Sequence, residues 1–566
     1  MRRASTTGWR ASPIRSSRSS DGPAAADETS RRCPFAAPTR SVAQSPGSID
    51  AAGVRAATVA RPLLIGGEVV ASYERLSGLD EAFLAFESPV AYMHVAVTAI
   101  FDAGPLRTET GGVDIARIRR HVASRLQRLP RFRQRLAFIP VVQDAIWIDD
   151  EHFDLAYHVR HASLPRPGSD AQLRARCAEI LERPLNRKRP LWEVWLIEGL
   201  ADDAAALVAK VHHCIVDGIA GVGVLANLLS LEPHEAPDPP DHWTPRPAPS
   251  PRQLLRDEAR RRLRGSLTAG RAVVDAVARP QVGLGRLGAA ASGLWRLAQS
   301  SLTPAPATPF NRPIGPHRQV TWLSLDLELV KRVKRRLGGT VNDVVLTCVA
   351  GAMRALFARH GETPPEEIVR AAVPVSVRTR EDATAPGNRV SIWIVPLPLG
   401  ARDPRERFTI VNTTTEQLKE RNQAAGAAVL TQAADWTGSA ILSWAVRLLA
   451  SARIYNVIVT NVPGPPVPLY LLGARLRAAY PHLPLFENQG LGIALLSYLD
   501  RLYVGLTADW NQAELAQELA ADLEAAVDQL AGSVGLHGEA ERRPATVPDL
   551  DPTFVAIRPV VPAGAA

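Results

Sequence analysis

Two adjacent histidines, His212 and His213, follow the apolar residues 207–211, and Asp217 and Gly218 complete the spacing HHxxxDG. An imidazole has an ordinary pKa of about 6.5, which suits it to take a proton from a hydroxyl group near neutral pH. An aspartate at a turn could orient such a ring, and a glycine allows a tight turn or a close backbone approach. The pattern therefore indicates a general base, with Asp217 in an orienting or structural role and Gly218 at the turn.

The element that must position this base is a short strand. Residues 207–213 have the apolar density of a buried strand, and successive side chains of a strand point to opposite faces. If the strand persists to its end, His213 shares a face with Val211, and His212 shares a face with Lys210. Only one ring can then face a given cleft. We predict that His213 is the base and that His212 supports it.

Two other interpretations of the histidine pair stay open at this point. Histidine and aspartate are metal ligands, but adjacent strand residues diverge and no further ligand cluster follows, so we predict no metal site. A structural role at a strand end is the commoner interpretation for two histidines taken alone. The additional spacing to Asp217 and Gly218 favours catalysis.

Several other short motifs lie along the chain in a fixed order. They are Leu76-Ser77-Gly78-Leu79-Asp80 with Met93-His94-Val95, Pro190-Leu191-Trp192-Glu193, residues 212–218, Val341-Asn342-Asp343-Val344-Val345-Leu346, Pro374-Val375-Ser376-Val377-Arg378, Gly387-Asn388, Asn461-Val462-Pro463-Gly464-Pro465 and Leu496-Ser497-Tyr498-Leu499-Asp500-Arg501. Through these motifs the chain resembles the bacterial wax ester synthase/acyl-CoA:diacylglycerol acyltransferase family over about residues 72–535.

The resemblance implies an α/β (mixed α+β) chain with the two-domain, chloramphenicol acetyltransferase-like fold of CoA-dependent acyltransferases. Its active-site channel would lie at the domain interface. The implied reaction is direct transfer of a long-chain acyl group from acyl-CoA, a cosubstrate, to diacylglycerol, with no permanently bound cofactor. A fatty alcohol as acceptor, which would make wax esters, is the alternative. Two further alternatives are an acyltransferase for carrier-bound acyl groups, which the PLW and ND motifs disfavour, and a lipid-droplet protein with weak or no catalysis.

The resemblance and local helix signals suggest further site residues. Pro190, Leu191 and Trp192 match the family's PLW motif and are candidates for substrate binding. Gly338 and Gly339 end one predicted helix, and Thr340 can cap the next, over residues 341–360. Free backbone N–H groups at a helix start favour negative charge, so Asn342 is a candidate oxyanion donor, with capping or core bonding as its alternative. A carboxylate would repel an oxyanion, so Asp343 is predicted to be structural.

Length and charge suggest the organisation of the 566-residue chain. Residues 1–70 hold ten arginines and five acids, and so carry five of the nine net positive charges. We expect a disordered or mis-called extension at 1–70, an acyltransferase domain with the HHxxxDG motif at 71–235, a proline-rich and basic linker at 236–316, a second acyltransferase domain at 317–540 and a disordered tail at 541–566. The content of 46% hydrophobic and 22% charged residues is typical of a globular protein.

The basic linker bears on partners and location. Residues 252–302 are predicted to form either a solvated helix or a basic amphipathic element that touches an anionic membrane or a lipid droplet. We expect no transmembrane helix, and residues 439–458 are predicted to form an amphipathic helix. Cysteines without a pairing pattern are typical of proteins in the reducing cytoplasm, which is the location we expect. Peripheral contact of the protein with the inner membrane or with lipid droplets is the second expectation. No nucleic-acid-binding module is predicted, and the sequence indicates no oligomeric state.

Overall fold

The computed structural model describes residues 72–215, 227–234, 243–278, 304–361, 369–376, 390–425 and 453–536. The strands in this part of the chain are β1 (Tyr73–Arg75), β2 (His94–Asp102), β3 (Gln134–Phe138), β4 (Ala145–Asp149), β5 (Val159–Ser163), β6 (Trp192–Glu198), β7 (Ala204–His212), β8 (Arg318–Asp326), β9 (Val369–Ser376), β10 (Val390–Leu397), β11 (Val457–Val462), β12 (Tyr470–Leu471), β13 (Ala474–His482), β14 (Leu491–Tyr498) and β15 (Arg501–Asp509). The α-helices are α1 (Gly78–Phe86), α2 (Ile115–Arg125), α3 (Leu155–His158), α4 (Asp170–Leu181), α5 (Pro251–Ala278), α6 (Leu327–Leu337), α7 (Val341–Arg359), α8 (Pro404–Ala425) and α9 (Ala513–Ser533).

The strands form two large sheets and one small one. The first large sheet has the order β12-β13-β2-β7-β6-β5, and the second has the order β10-β9-β11-β14-β15-β8. The small sheet, β1-β4-β3, has one face in contact with Leu191 and Cys214, while α5 contributes Leu254 to the cluster on the other face. This mixed arrangement agrees with the predicted α/β (mixed α+β) fold class.

The two large sheets do not follow the two halves of the chain. Strands β12 and β13 come from the half predicted as the second domain, yet β13 pairs with β2 in the first sheet. Their side chains enter the core of that sheet, where Leu471, Leu476 and Ala479 are buried. The C-terminal half therefore completes the sheet that carries the histidine motif. No local pattern in the sequence indicates this exchange.

The second sheet is covered by α6, α7 and α9, whose apolar faces form the largest core of the described chain. The predicted signals around α7 are confirmed: Gly338 ends α6 with φ at +81°, and Thr340 caps α7. By length and composition alone α7 could cross a membrane, but most of the helix is buried in the protein, as in a core helix, so the expectation of no transmembrane helix stays a prediction.

Other predicted elements differ from the structure or lie outside the described residues. Of the amphipathic helix predicted at 439–458, residues 439–452 are not described, and Val457 and Ile458 belong to strand β11. The predicted extension at 1–70 and tail at 541–566 also lie outside. Within the predicted linker, the described helix is α5, which packs on the small sheet rather than running free between the halves.

Candidate active site

Strands β2 and β7 place the histidine motif at one end of the first sheet. They are antiparallel neighbours, and His94 pairs directly with His212. Strand β7 ends at His212, so His213 lies in the following turn and not in the strand. The N–H of His213 donates to the carbonyl of Met93 at 2.8 Å. The strand alternation assumed for His213 therefore stops one residue early, and the turn sets the direction of its ring.

The ring of His212 is enclosed by protein, with 1% of the residue exposed. The N–H of Cys214 donates to Nδ1 at 3.1 Å, which makes Nδ1 an acceptor. In the neutral ring the proton must therefore be at Nε2, which lies 3.1 Å from Oε1 of Glu87. This approach is an electrostatic contact without the alignment of a hydrogen bond. Both ring nitrogens are thus committed to protein groups.

Glu87, just after α1, joins several parts of the site. Its Oε1 accepts from the N–H of Met93 at 3.1 Å and also faces His212, while Oε2 binds the guanidinium of Arg187. Burial by itself raises the pKa of Glu87, but His212 and Arg187 outweigh this effect and lower the pKa to about 2. Since Met93 also accepts from His213, the carboxylate fixes the segment to which the predicted base is bonded.

The ring of His213 lies against Phe83 of α1. The two rings are stacked, with their centroids 3.8 Å apart and their planes 17° apart. Burial lowers the pKa of His213 to about 4, although its own main-chain carbonyl acts in the opposite direction. Among the described residues Nδ1 has no aligned hydrogen-bond partner. His213 is half-buried, so part of the residue remains accessible, and the lowered pKa keeps its ring neutral near pH 7.

The PLW motif supports the histidine turn from the side of β6. Pro190, Leu191 and Trp192 are all buried, and the carbonyl of Leu191 accepts from the N–H of His212 at 3.0 Å. Trp192 donates through Nε1 to the carbonyl of Phe132 at 2.8 Å. These contacts are within the protein, and a contact of the three residues with substrate stays a prediction.

The remaining predicted site residues belong to other parts of the chain. Asp343 accepts from the N–H of Thr340 and from the hydroxyl of Thr415, each at 2.7 Å, so it joins the start of α7 to the middle of α8. Asn342 is half-buried, and its side chain has no hydrogen bond to another described residue. No described contact joins either residue to His213. Asp217 and Gly218 lie outside the described residues, so their roles stay predictions.

A thiol nucleophile and a metal centre would be two other chemical roles for this region. Cys214 is buried in the apolar cluster with Leu191, and burial raises the pKa of its thiol, as expected for a small packed residue. Among the residues that the structure describes, no group of three or more His, Cys, Asp or Glu side chains is arranged to hold a metal ion.

Sequence reasoning missed two residues that touch the histidines, Glu87 and Phe83. Both belong to the segment that begins with the Leu76-Ser77-Gly78-Leu79-Asp80 motif. Phe83 lies in α1 and Glu87 follows its last residue, so their spacing of four residues is compatible with one face of a helix. Nothing in the neighbouring sequence indicates which part of the protein that face contacts. The neighbouring His94, from the Met93-His94-Val95 motif, also belongs here, since its buried ring lies 5.9 Å from that of His212.

Comparison with known proteins first defines the fold. The first condensation domain of the calcium-dependent antibiotic synthetase superposes with a TM-score of 0.50 at 16% identity, covering 82% of this chain and 96% of that one. The wax ester synthase/diacylglycerol acyltransferase from Marinobacter aquaeolei VT8 superposes with a TM-score of 0.58 at 26% identity, covering 82% of this chain and 100% of that one. The chain thus has the two-domain fold of CoA-dependent acyltransferases and condensation domains.

Sequence comparison then defines the family. A model of the wax ester synthase/diacylglycerol acyltransferase catalytic domain matches residues 76–345, and the model of the corresponding C-terminal domain matches residues 386–531. Two Mycobacterium tuberculosis relatives are provisionally named diacylglycerol O-acyltransferases. MT1809 of strain CDC 1551 / Oshkosh is 35% identical over 462 residues, covering 77% of this chain and 86% of the relative. The protein tgs1 of strain ATCC 25618 / H37Rv is 34% identical over 459 residues, covering 80% and 95%.

The chain therefore belongs to the wax ester synthase/diacylglycerol acyltransferase family, and it is an acyl-CoA-dependent acyltransferase.

Proposed function

We propose that this enzyme transfers a long-chain acyl group from acyl-CoA to the free hydroxyl of diacylglycerol, with His213 as the general base. The observation that carries the choice of base is the contrast between the two histidines. Both ring nitrogens of His212 face protein groups, whereas the half-buried ring of His213 is held by stacking and by its main-chain N–H. A free lone pair on an accessible imidazole is what proton abstraction requires.

The protonation state of His213 also supports this role. Because its pKa is lowered to about 4, nearly all of the ring is neutral at pH 7. Nδ1 of the ring is enclosed by the protein. We place the proton of the neutral ring there, which leaves the lone pair of Nε2 for the substrate hydroxyl.

In the proposed step, Nε2 of His213 takes the proton of the acceptor hydroxyl while the oxygen attacks the thioester carbonyl. The carbonyl becomes a tetrahedral oxyanion, for which Asn342 is the candidate donor. When the oxyanion collapses, the carbon–sulfur bond breaks, and the imidazolium returns the proton to the departing CoA thiolate. The ester and free CoA leave, and His213 is neutral again. General acid–base help of this kind typically contributes ~10²–10⁴-fold to the rate.

The acceptor is proposed from the relatives. Two proteins of about one-third identity are named for diacylglycerol O-acyltransferase activity, which favours diacylglycerol and hence triacylglycerol as the product. The Marinobacter protein carries the wax ester synthase name as well. That name supports a fatty alcohol as the second candidate acceptor.

Thin-layer analysis of products tests the acceptor. Purified enzyme receives one labelled long-chain acyl-CoA with diacylglycerol or with hexadecanol in parallel. We expect labelled triacylglycerol as the main product. A larger yield of wax ester would favour the second candidate, and the absence of any ester would refute both.

Substitution of the two histidines tests the base. His213→Ala should leave the fold intact and reduce turnover at least 100-fold, because general base help is lost. The matched control is His212→Asn, whose side-chain oxygen can still accept from the N–H of Cys214; we expect it to retain much more activity. A His213→Ala enzyme with more than a tenth of wild-type turnover would contradict the assignment.

A further inference from the structure

The first half of α5 carries two parallel stripes on its outward side. Leu255 and Leu263 are exposed, at 40% and 64%, and Ala259 lies between them at a spacing of four residues. Residues four apart lie on one face of a helix. The next stripe consists of exposed arginines at the same spacing, namely Arg252, Arg256, Arg260 and Arg264. An apolar stripe therefore runs beside a basic one on this helix.

The opposite side of α5 is fixed to the small sheet. Leu254 is buried in the cluster formed with isoleucines of β4 and the β3–β4 hairpin. Glu258 is 2% exposed and binds Arg75 of β1 as well as Arg261 of its own helix. The hydroxyl of Tyr73 donates to Asp257 at 3.3 Å. These contacts orient the helix and determine which residues face outward.

Charge is segregated across this helix. Between residues 251 and 264 the acids are Asp257 and Glu258, and both contact residues of the small sheet, although Asp257 also lies 3.9 Å from the guanidinium of Arg260. The outward stripes hold arginines and leucines without an acid between them. A solvated surface helix usually mixes both signs of charge, whereas an interfacial helix combines Lys or Arg with exposed large apolar side chains.

We propose that the outward face of α5 is a docking surface for an anionic lipid membrane. The arginines would lie among the phosphate groups of the lipids, and Leu255 and Leu263 would enter the boundary between headgroups and acyl chains. Each arginine near an anionic surface adds to the attraction, and the effect is screened by salt. The docked helix would hold the small sheet close to the lipid. The other face of that sheet contacts Cys214, the residue after His213.

Vesicle flotation of the full chain tests this surface without any substrate. One set of vesicles contains equal parts of phosphatidylcholine and phosphatidylglycerol, and the other contains phosphatidylcholine alone. We expect binding to the anionic vesicles that weakens as salt is raised. Arg256→Glu with Arg260→Glu should reduce binding at least about tenfold. Leu255→Glu with Leu263→Glu should do the same, since insertion of the apolar stripe is lost.

A matched control carries the same change of charge on another exposed helix, as Arg335→Glu with Arg336→Glu on α6. We expect this control to bind vesicles like the wild type. Thermal unfolding of each variant checks that the fold is intact. The proposal is overturned if the α5 variants bind like the wild type, which is the result expected if the arginine-rich residues 1–70 supplied the attraction. It is also overturned if the wild type binds neutral vesicles as well as anionic ones. Since flotation needs no turnover, a failed assignment of His213 would leave this result unaffected.

Discussion

Replacing Glu87 should separate the role of its shape from the role of its charge. In Glu87→Ala, the main-chain N–H of Met93 loses its acceptor, and the buried Nε2–H of His212 loses the carboxylate it faces. A buried donor left without a partner costs about 1–3 kcal/mol, so the two together should lower the free energy of unfolding by about 2–6 kcal/mol. Arg187 also loses its partner, but it is 45% exposed and can turn to water at little cost.

Glu87→Gln should be much milder. The amide oxygen can still accept from the N–H of Met93 and face His212. The attraction to His212 that the lost charge supplied is offset by the lower cost of burying a neutral group, which leaves the ion pair with the exposed Arg187 as the main loss. We expect a loss of at most about 1 kcal/mol, the usual range for an exposed ion pair. In Glu87→Ala the Met93 segment that holds His213 is loosened, and a displacement of ~1 Å can reduce turnover ~10²-fold.

Urea unfolding and kcat measured on both variants test this reasoning. The expected order is wild type, then Glu87→Gln with most of its stability and turnover, then Glu87→Ala with a large loss of both. If the glutamine variant were as damaged as the alanine variant, the negative charge itself would be required. If Glu87→Ala stayed within about 1 kcal/mol of the wild type, the carboxylate would not hold the site together as its contacts indicate.

Three further predictions concern other groups. The acid limb of the pH profile of kcat/KM should lie well below pH 6.5, because His213 stays neutral down to its pKa of about 4. Phe83→Ala should move this limb to higher pH, because water would then reach the ring of His213. A wild-type limb at pH 6.5 or above would refute the lowered pKa. Burial lowers the pKa of His482 to about 3, so the unfolded chain binds an extra proton between pH 6.5 and 3 and stability falls as pH falls. In urea unfolding across that window, His482→Phe should reduce the slope by up to about 1.4 kcal/mol per pH unit, and an unchanged slope would contradict the shift. Asp343→Ala should lower the free energy of unfolding by about 1–3 kcal/mol, because it removes a helix cap and a buried acceptor. Asn342→Ala should unfold like the wild type and have a lower kcat. If the two variants had equal effects on stability and on kcat, the two residues would not have separate roles.

The sequence predicted elements best where local signals were strong. The paired glycines predict the end of one helix, which is α6, and Thr340 predicts the start of the next, which is α7. The mostly apolar residues 369–376 and 390–397 are likewise typical of strands, and they form β9 and β10. These signals act within a few residues of one another, so they can be seen without knowledge of the fold.

Long-range contacts could not be predicted in this way. The pairing of β13 with β2 joins residues nearly four hundred positions apart, such as Tyr480 with Thr98, and no local pattern specifies a partner at that distance. The contact of Glu87 with His212 has the same character, since an acid at a helix end usually faces solvent. Strand alternation was the reason for predicting His213 as the base, but the strand ends at His212. The ring of His213 is therefore directed by the turn that follows the strand.

That turn explains why two adjacent histidines can have different tasks. His212 is the last residue of β7, paired with His94 on the neighbouring strand, so its ring enters the packed sheet, where an imidazole needs partners for both nitrogens. Cys214 and Glu87 supply them, and they do so through the turn and through α1, the two elements that border His213. Each contact that satisfies the buried ring therefore also restrains the half-buried one. A residue at position 212 that cannot accept from the N–H of Cys214, such as alanine, would leave the turn without this anchor. The ring of His213 would then keep its stacking on Phe83 only by its single main-chain bond to Met93.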